Sequence, residues 1–217
     1  MDRQTTQTQA KGLTMKVIGI IGGIASGKST VAKALKELGA GYINADEIGH
    51  EVIAIPEIKQ QMLNRWEGNG YGHITNPDGK LRRDIIANIV FNDSVELKFL
   101  NDICHPIIKD RIQQSLGYFH PDYTKAVILD VPLLLEANWN RMCDDILFID
   151  ASESQRGSRA QKREDCPLDL VELKKRESSQ FGLEMKKDFA SHIISNDGTM
   201  EHMLKQVQSF WDAKINV

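Results

Sequence analysis

An α/β fold with a parallel sheet is predicted for this chain from three observations. Short apolar runs recur at 17–21, 126–129 and 146–149, each closed by Gly or Asp. Such runs, bounded by turn residues, read as buried strands, and stretches with apolar residues at helical spacing separate them. A glycine-rich turn ending in Gly-Lys-Ser joins the first run to the first helical stretch.

The opening strand is Val17, Ile18, Ile20 and Ile21, broken only by Gly19. Gly22, Gly23, Ile24, Ala25, Ser26, Gly27, Lys28 and Ser29 then fit Gly-x-x-x-x-Gly-Lys-Ser, with Thr30 following. Small residues let the backbone curl so that successive N–H groups converge on one anion. A lysine at this place brings a cation to the outer phosphates, and the Ser29 hydroxyl is a ligand for Mg²⁺. Lys28 and Ser29 should open a helix whose positive end adds to anion binding. Val31, Leu35 and Leu38 form its apolar face, and Gly39 stands where a C-terminal cap falls. A glycine-rich turn in a protein that binds no nucleotide is the competing reading. The strand before the motif and the helix after it favour the phosphate loop.

Residues 41–43 are short and apolar and predict a second strand, leading into Asn44-Ala45-Asp46. Ligands of open α/β sheets bind beyond the carboxyl ends of the strands. A carboxylate at Asp46 can take a proton from an attacking hydroxyl or hold Mg²⁺ through water. Locally, Asp46 reads more simply as the N-cap of a helix starting near Glu47.

From 51 to 120 the pattern is helical. Ile58, Met62 and Leu63 give one apolar face, Ile85, Ile86, Ile89 and Val90 a second, and Leu97, Leu100 and Ile103 a third. A polar loop at 67–80 carries the turn Asn76-Pro77-Asp78-Gly79. The segment is too long for a simple crossover, so it predicts an inserted helical subdomain that receives a second substrate. Arg82, Arg83 and His105 are its candidates for anionic groups, against a solvated charged face and a structural histidine.

Asp130 ends the strand at 126–129, where a Mg²⁺-proximal acid belongs. It is followed by valine and not by the second acid with which a mechanical ATPase activates water, which favours transfer over hydrolysis. Asp150 ends the strand at 146–149, and 193–194 is the last and shortest strand. Between them Arg156, Arg159 and Arg163 have the spacing of one helix face. A lid that brings arginines to a transferring phosphoryl group is one reading, and a solvated basic face is the other. Cys166-Pro167 breaks the pattern, and Lys174, Lys175 and Arg176 extend the charge. Met203, Val207 and Phe210 mark a final helix that packs on the sheet.

The chain has 217 residues and a net charge of −3, enough for one core with inserted subdomains and without a broad basic footprint. Nucleic acid and membrane are therefore not expected partners. Cys104, Cys143 and Cys166 are widely spaced, which suits reduced thiols in the cytoplasm. Residues 1–14 are polar, lack the apolar stretch of a signal peptide, and are expected to be a disordered tail.

These elements, in this order, resemble the dephospho-coenzyme A kinase family. The phosphate loop GGIASGKST is similar to the family's, and Asp46 in INADEIGH matches its aspartate after the second strand. Its Asp-Gly-x-Leu-x-Arg turn matches Asp78 to Arg83, with Arg83 as the shared arginine. Leu100 to Pro106, Asp130 to Glu136, the pair Arg159 and Arg163, Arg176 to Gln180, and Asn196 to Gly198 match further family elements. Asn44, Ile21 and Glu164 depart from its usual aspartate, threonine and aspartate.

The resemblance implies a P-loop three-layer α/β/α core with a parallel five-stranded sheet, a helical substrate-binding insertion and a helical lid. The core would be 15–50, 121–155 and 188–217, the insertion 51–120 and the lid 156–187. It also implies ATP with Mg²⁺ as phosphoryl donor and the ribose 3′-hydroxyl of dephospho-coenzyme A as acceptor. On that reading Gly22 to Thr30 cradle the phosphates, Lys28 contacts the outer ones, Ser29 ligates Mg²⁺ and Asp46 is the general base. Arg159 and Arg163 close over the transferring group, while Arg83, His105 and Asp130 serve the acceptor. Another P-loop small-molecule or nucleoside kinase is the alternative, and a nucleotide-dependent switch a more distant one. The guanine-reading Asn-Lys-x-Asp pattern is absent.

Overall fold

The computed structural model describes residues 15–162, 168–178 and 180–216. Two compact units form, one from residues up to Tyr42 together with those from Phe119 onwards, the other Ile43–Tyr118.

The first unit is built on the apolar runs. β1 (Lys16–Gly22), β2 (Gly41–Asn44), β3 (Ala126–Asp130), β4 (Asp145–Asp150) and β5 (His192–Ser195) make a five-stranded sheet in the order β2-β3-β1-β4-β5. β1 lies at its centre, parallel to β3 and β4, with Ile20 opposite Asp130 and Gly22 opposite Ile149. β5 runs parallel to β4, with Leu147 opposite His192. Buried on both faces, these strands read as nearly continuous apolar runs.

Alternation along β1 sends Ile18 and Ile20 to one face. There they join Ile128, Leu147 and Ile149, Val31 and Leu35 of α1 (Lys28–Glu37), and Met203, Val207, Phe210 and Trp211 of α9 (Met200–Lys214). On the other face a Cβ at Gly19 would sit 2.6 Å from Leu134 Cδ2 and 2.8 Å from Cys143 Sγ, so only glycine fits. Burial pushes the Cys143 thiol up to about 12, and the Cys104 thiol of the second unit up to about 11, which makes both inert packing groups. Cys166 lies outside the described residues. Gly39, at φ +102°, follows the end of α1 as the pattern predicts.

The second unit is helical: α2 (Ala45–Val52), α3 (Pro56–Trp66), α4 (Arg83–Asn92) and α5 (Ser94–Gly117). Ile58, Met62, Trp66, Ile86, Ile89 and Val90 are buried, as the first two apolar faces require. The third face is rotated from the expected one. Leu97, Leu100 and Ile103 are only half-buried, and α5 buries Glu96, Cys104, Ile108 and Ile112 instead. Glu96 explains the rotation. Its carboxylate accepts from Arg65 Nε at 3.0 Å, Arg65 Nη2 at 2.8 Å and Trp66 Nε1 at 2.7 Å, so it must face the end of α3. The polar loop closes as a tight turn: Asn76 N–H donates to Lys80 O at 2.8 Å, Thr75 pairs with Leu81, and Gly79 takes φ +82°.

The charged stretch before β5 forms α6 (Glu153–Gln161), α7 (Leu170–Glu177) and α8 (Leu183–Asp188). α6 carries Arg156 and Arg159, and Arg163, the third arginine of the expected face, lies outside the described residues. No helix among the described residues is long and apolar enough to cross a membrane.

Candidate phosphate-binding site

β1 ends at Gly22 and α1 begins at Lys28, so the loop between them occupies the carboxyl end of the central strand. Its turn closes with Ser26 N–H donating to Gly23 O at 3.2 Å. Ala25 takes φ +58° and Gly27 φ +97°, left-handed steps that turn successive N–H groups inward. Gly27 then starts the helix, its carbonyl accepting from Thr30 at 3.0 Å and Val31 at 3.1 Å. A side chain at Gly27 is excluded twice, by its φ and by Asn196, whose Nδ2 would stand 2.2 Å from a Cβ.

Long-range side chains support the loop. Asn196 Nδ2 donates to Ser26 O at 2.7 Å, and Arg159 donates to Ser26 O at 3.3 Å and to Asn196 O at 2.7 Å. Arg156 is buried, which overturns the solvated-face reading for it. Its Nε donates to Ala151 O at 3.2 Å, and its Nη1 pairs with Glu177. The same Glu177 oxygen accepts Ile24 N–H at 3.1 Å. Gly23 is glycine because a Cβ there would meet Arg156 Nη1 at 2.9 Å.

Lys28 Nζ donates to Gly22 O at 3.3 Å and Gly23 O at 3.0 Å, which keeps its ammonium over the loop. Ser29 lies exposed in the first turn of α1, and Thr30 is half-buried beside it. Asp130, at the end of β3, accepts from Tyr42 Oη at 2.9 Å. Among the described residues no group of His, Cys, Asp and Glu forms a metal cage. The Ser29 hydroxyl and the Asp130 carboxylate are hard oxygen donors, which suits Mg²⁺ held largely by water and nucleotide phosphates.

The remaining candidates lie in the second unit. Asp46 is not the cap of α2. Asn44 is, and its Oδ1 accepts from Asp46 N–H at 2.9 Å and Glu47 N–H at 3.4 Å. The residue that departs from the family's aspartate therefore takes over the capping role. Asp46 stands exposed in the first helical turn. Arg83 is exposed as the first residue of α4. His105 is half-buried in α5, where burial holds its imidazole below the ordinary value against the opposing charge of Asp102. Glu177 and Glu96 gave no sequence signal, because each earns its place through a partner distant in the chain.

A family model described as dephospho-CoA kinase matches residues 16–202. The chain belongs to the dephospho-CoA kinase family. Family members catalyse the last step of coenzyme A biosynthesis. The dephospho-CoA kinase of Dehalococcoides mccartyi is 36% identical over 194 residues, covering 89% of this chain and 95% of that protein. That of Hahella chejuensis is 37% identical over 191 residues, covering 88% of each. Among solved structures, TT1252 from Thermus thermophilus superposes with a TM-score of 0.75 at 27% identity, over 92% of this chain and 98% of that one. The dephospho-CoA kinase of Campylobacter jejuni superposes with a TM-score of 0.69 at 23% identity, over 94% of this chain and 98% of that one, and shares the fold.

Proposed function

We propose that this member of the dephospho-CoA kinase family transfers the γ-phosphoryl group of ATP, bound with Mg²⁺, to the ribose 3′-hydroxyl of dephospho-CoA. The observation that carries the proposal is the phosphate loop at the end of the central strand, supported by Asn196, Arg159 and Arg156. Backbone N–H groups from Gly22 to Thr30 hold the phosphates, and Lys28 neutralises charge on the outer ones. Ser29 would hold Mg²⁺, which screens the negative charge of the phosphates when bound.

Asp46 takes the proton of the 3′-hydroxyl as its oxygen forms the new bond to phosphorus. The bond to the β-phosphate oxygen breaks, and ADP leaves. Arg159 and Arg163 are assigned to the transferring phosphoryl group, Arg83 and His105 to the acceptor, and Asp130 to the acceptor side of the phosphates. For Arg159, the assignment requires that nucleotide draw the guanidinium from its carbonyl partners. Residues 51–120 are the acceptor-binding insertion and 156–187 the lid, and the reaction belongs to the cytoplasm.

A coupled assay for ADP, with ATP and Mg²⁺ and with or without dephospho-CoA, tests the reading. ADP formed only with the acceptor, with coenzyme A as product, is expected. Equal ADP in both arms would mean a hydrolase or switch.

A further inference from the structure

We propose that Lys186 and Glu136 are positioning residues for the phosphate loop, a buried pair that fixes the link from α7 to α8 and, through Glu177, sets the backbone amide of Ile24. The part of the proposal that concerns ATP rests on the function stated above.

Lys186 is a residue of α8 and is 2% exposed. Burying an ammonium is costly unless oxygens surround it. Its Nζ donates to Gln180 Oε1 at 2.7 Å and stands 3.6 Å from Glu136 Oε1. Burial holds its pKa below the ordinary lysine value, against the opposing charges of Glu136 and Glu177. Glu136 follows β3 and accepts Phe181 N–H at 2.7 Å with the oxygen that faces Lys186. Its other oxygen is buried with no hydrogen-bond partner among the described residues. The carboxylate is thus held by one amide and by the charge of Lys186.

Gln180 and Phe181 are consecutive residues of the link between α7 and α8. The pair grips both, Gln180 by its side chain and Phe181 by its amide. Gln180 N–H in turn donates to the carbonyl of Glu177, the last residue of α7, at 3.0 Å. Glu177 accepts Ile24 N–H at 3.1 Å and pairs with Arg156. A continuous path therefore runs from the Lys186 ammonium through Gln180 and Glu177 to an amide of the phosphate loop. Lys186 is too deeply buried to meet a phosphate itself, so its effect on nucleotide must pass along that path. A buried ion pair is weak support for stability, since an apolar side chain of similar volume fills the same space without the desolvation cost. What the pair supplies is one fixed geometry for the link.

The test combines two readouts on the full chain, the backbone amide resonance of Ile24 by NMR without nucleotide and the calorimetric affinity for ATP with Mg²⁺. Both are measured in wild type, Lys186→Met, Glu177→Ala and the double variant of the two. In Lys186→Met the Ile24 resonance should move in the direction seen in Glu177→Ala. Affinity for ATP should fall about fivefold, within the span of effects carried through a packed network. The double variant should bind ATP no more weakly than Glu177→Ala alone, because both changes act through one amide. A merely structural role would lower the urea midpoint and leave the resonance and the affinity at wild-type values. If Lys186→Met fails to fold, Glu136→Gln combined with Lys186→Met decides, since it removes both buried charges. An unmoved Ile24 resonance, a wild-type ATP affinity, or losses that multiply in the double variant would each overturn the positioning role while leaving the proposed function intact. A wild type that binds no ATP would overturn the proposed function and this inference with it.

Discussion

Glu177 accepts the backbone N–H of Ile24 at 3.1 Å with the same oxygen that holds the Arg156 guanidinium. A carboxylate of α7 thus satisfies an amide of the phosphate loop, and a buried arginine fixes the carboxylate. The side chain of Arg156 is 5% exposed and that of Glu177 22%. Removing the acid leaves Arg156 buried with Ala151 O as its remaining hydrogen-bond partner among the described residues, and an uncompensated buried charge is costly. Glu177→Ala is expected to lower the unfolding free energy by about 3 kcal/mol, the low end for breaking a buried pair because Glu177 is partly wet. Urea denaturation measures it. A loss under about 0.5 kcal/mol, the range of neutral surface changes, would mean the pair gives no net support.

The role proposed for Lys28 at the outer phosphates can be tested apart from folding. Its bonds to Gly22 O and Gly23 O are to carbonyls of its own loop, while Asn196 and Arg159 hold the loop from outside. Lys28→Ala should therefore keep the wild-type thermal midpoint. It should lower kcat by about 10²–10³-fold, the usual cost of losing one group that stabilises transition-state charge. A kcat within threefold of wild type would remove Lys28 from the reaction.

The strands of the first unit were legible in the sequence because burial on both faces leaves uninterrupted apolar runs, as at Ala126 to Leu129. The loop was legible because its backbone conformation demands glycine at Gly27. The supports of that loop were not. Arg156 looks like any arginine in a charged stretch, and only the acid of α7 makes its burial possible. Asn44 shows the same limit at short range, since either Asn44 or Asp46 is a sound cap and the strand end decides between them. In the helical unit, periodicity located α5 but not its buried face, because Glu96 turns inward to meet Arg65 and Trp66.

Glu96 gives the helical unit a pH dependence. The Arg65 hydrogen bond, with that from Trp66, holds its carboxyl below the usual range against the opposing effect of burial. A carboxylate with a lower value in the folded state adds stability above its unfolded value, about 4.3. That stability is lost as pH falls through the folded value. The urea midpoint of the wild type should therefore drop on acidification below about pH 4. Glu96→Gln should be less stable at pH 7 and show a flatter acid limb. An acid limb identical to wild type would mean that other carboxylates account for it.

The general-base role proposed for Asp46 can be tested by a single substitution. Asn44 is the N-cap of α2, and Asp46 is exposed in the first turn. Conversion to asparagine keeps the size of the side chain and removes its negative charge together with its ability to take a proton. Asp46→Asn should fold with wild-type stability and bind ATP with unchanged affinity. Its kcat should fall by about 10²–10⁴-fold, the range for a positioned general base. The pH profile decides whether that loss is proton transfer. In the wild type kcat should rise as a carboxylate ionises, and in Asp46→Asn that rise should vanish. Asn44→Ala provides the contrast: it should cost about 1 kcal/mol of stability through the lost cap and leave the shape of the profile intact. A low kcat in Asp46→Asn with the wild-type pH dependence would assign Asp46 to positioning the acceptor or Mg²⁺, and the base would have to be sought elsewhere.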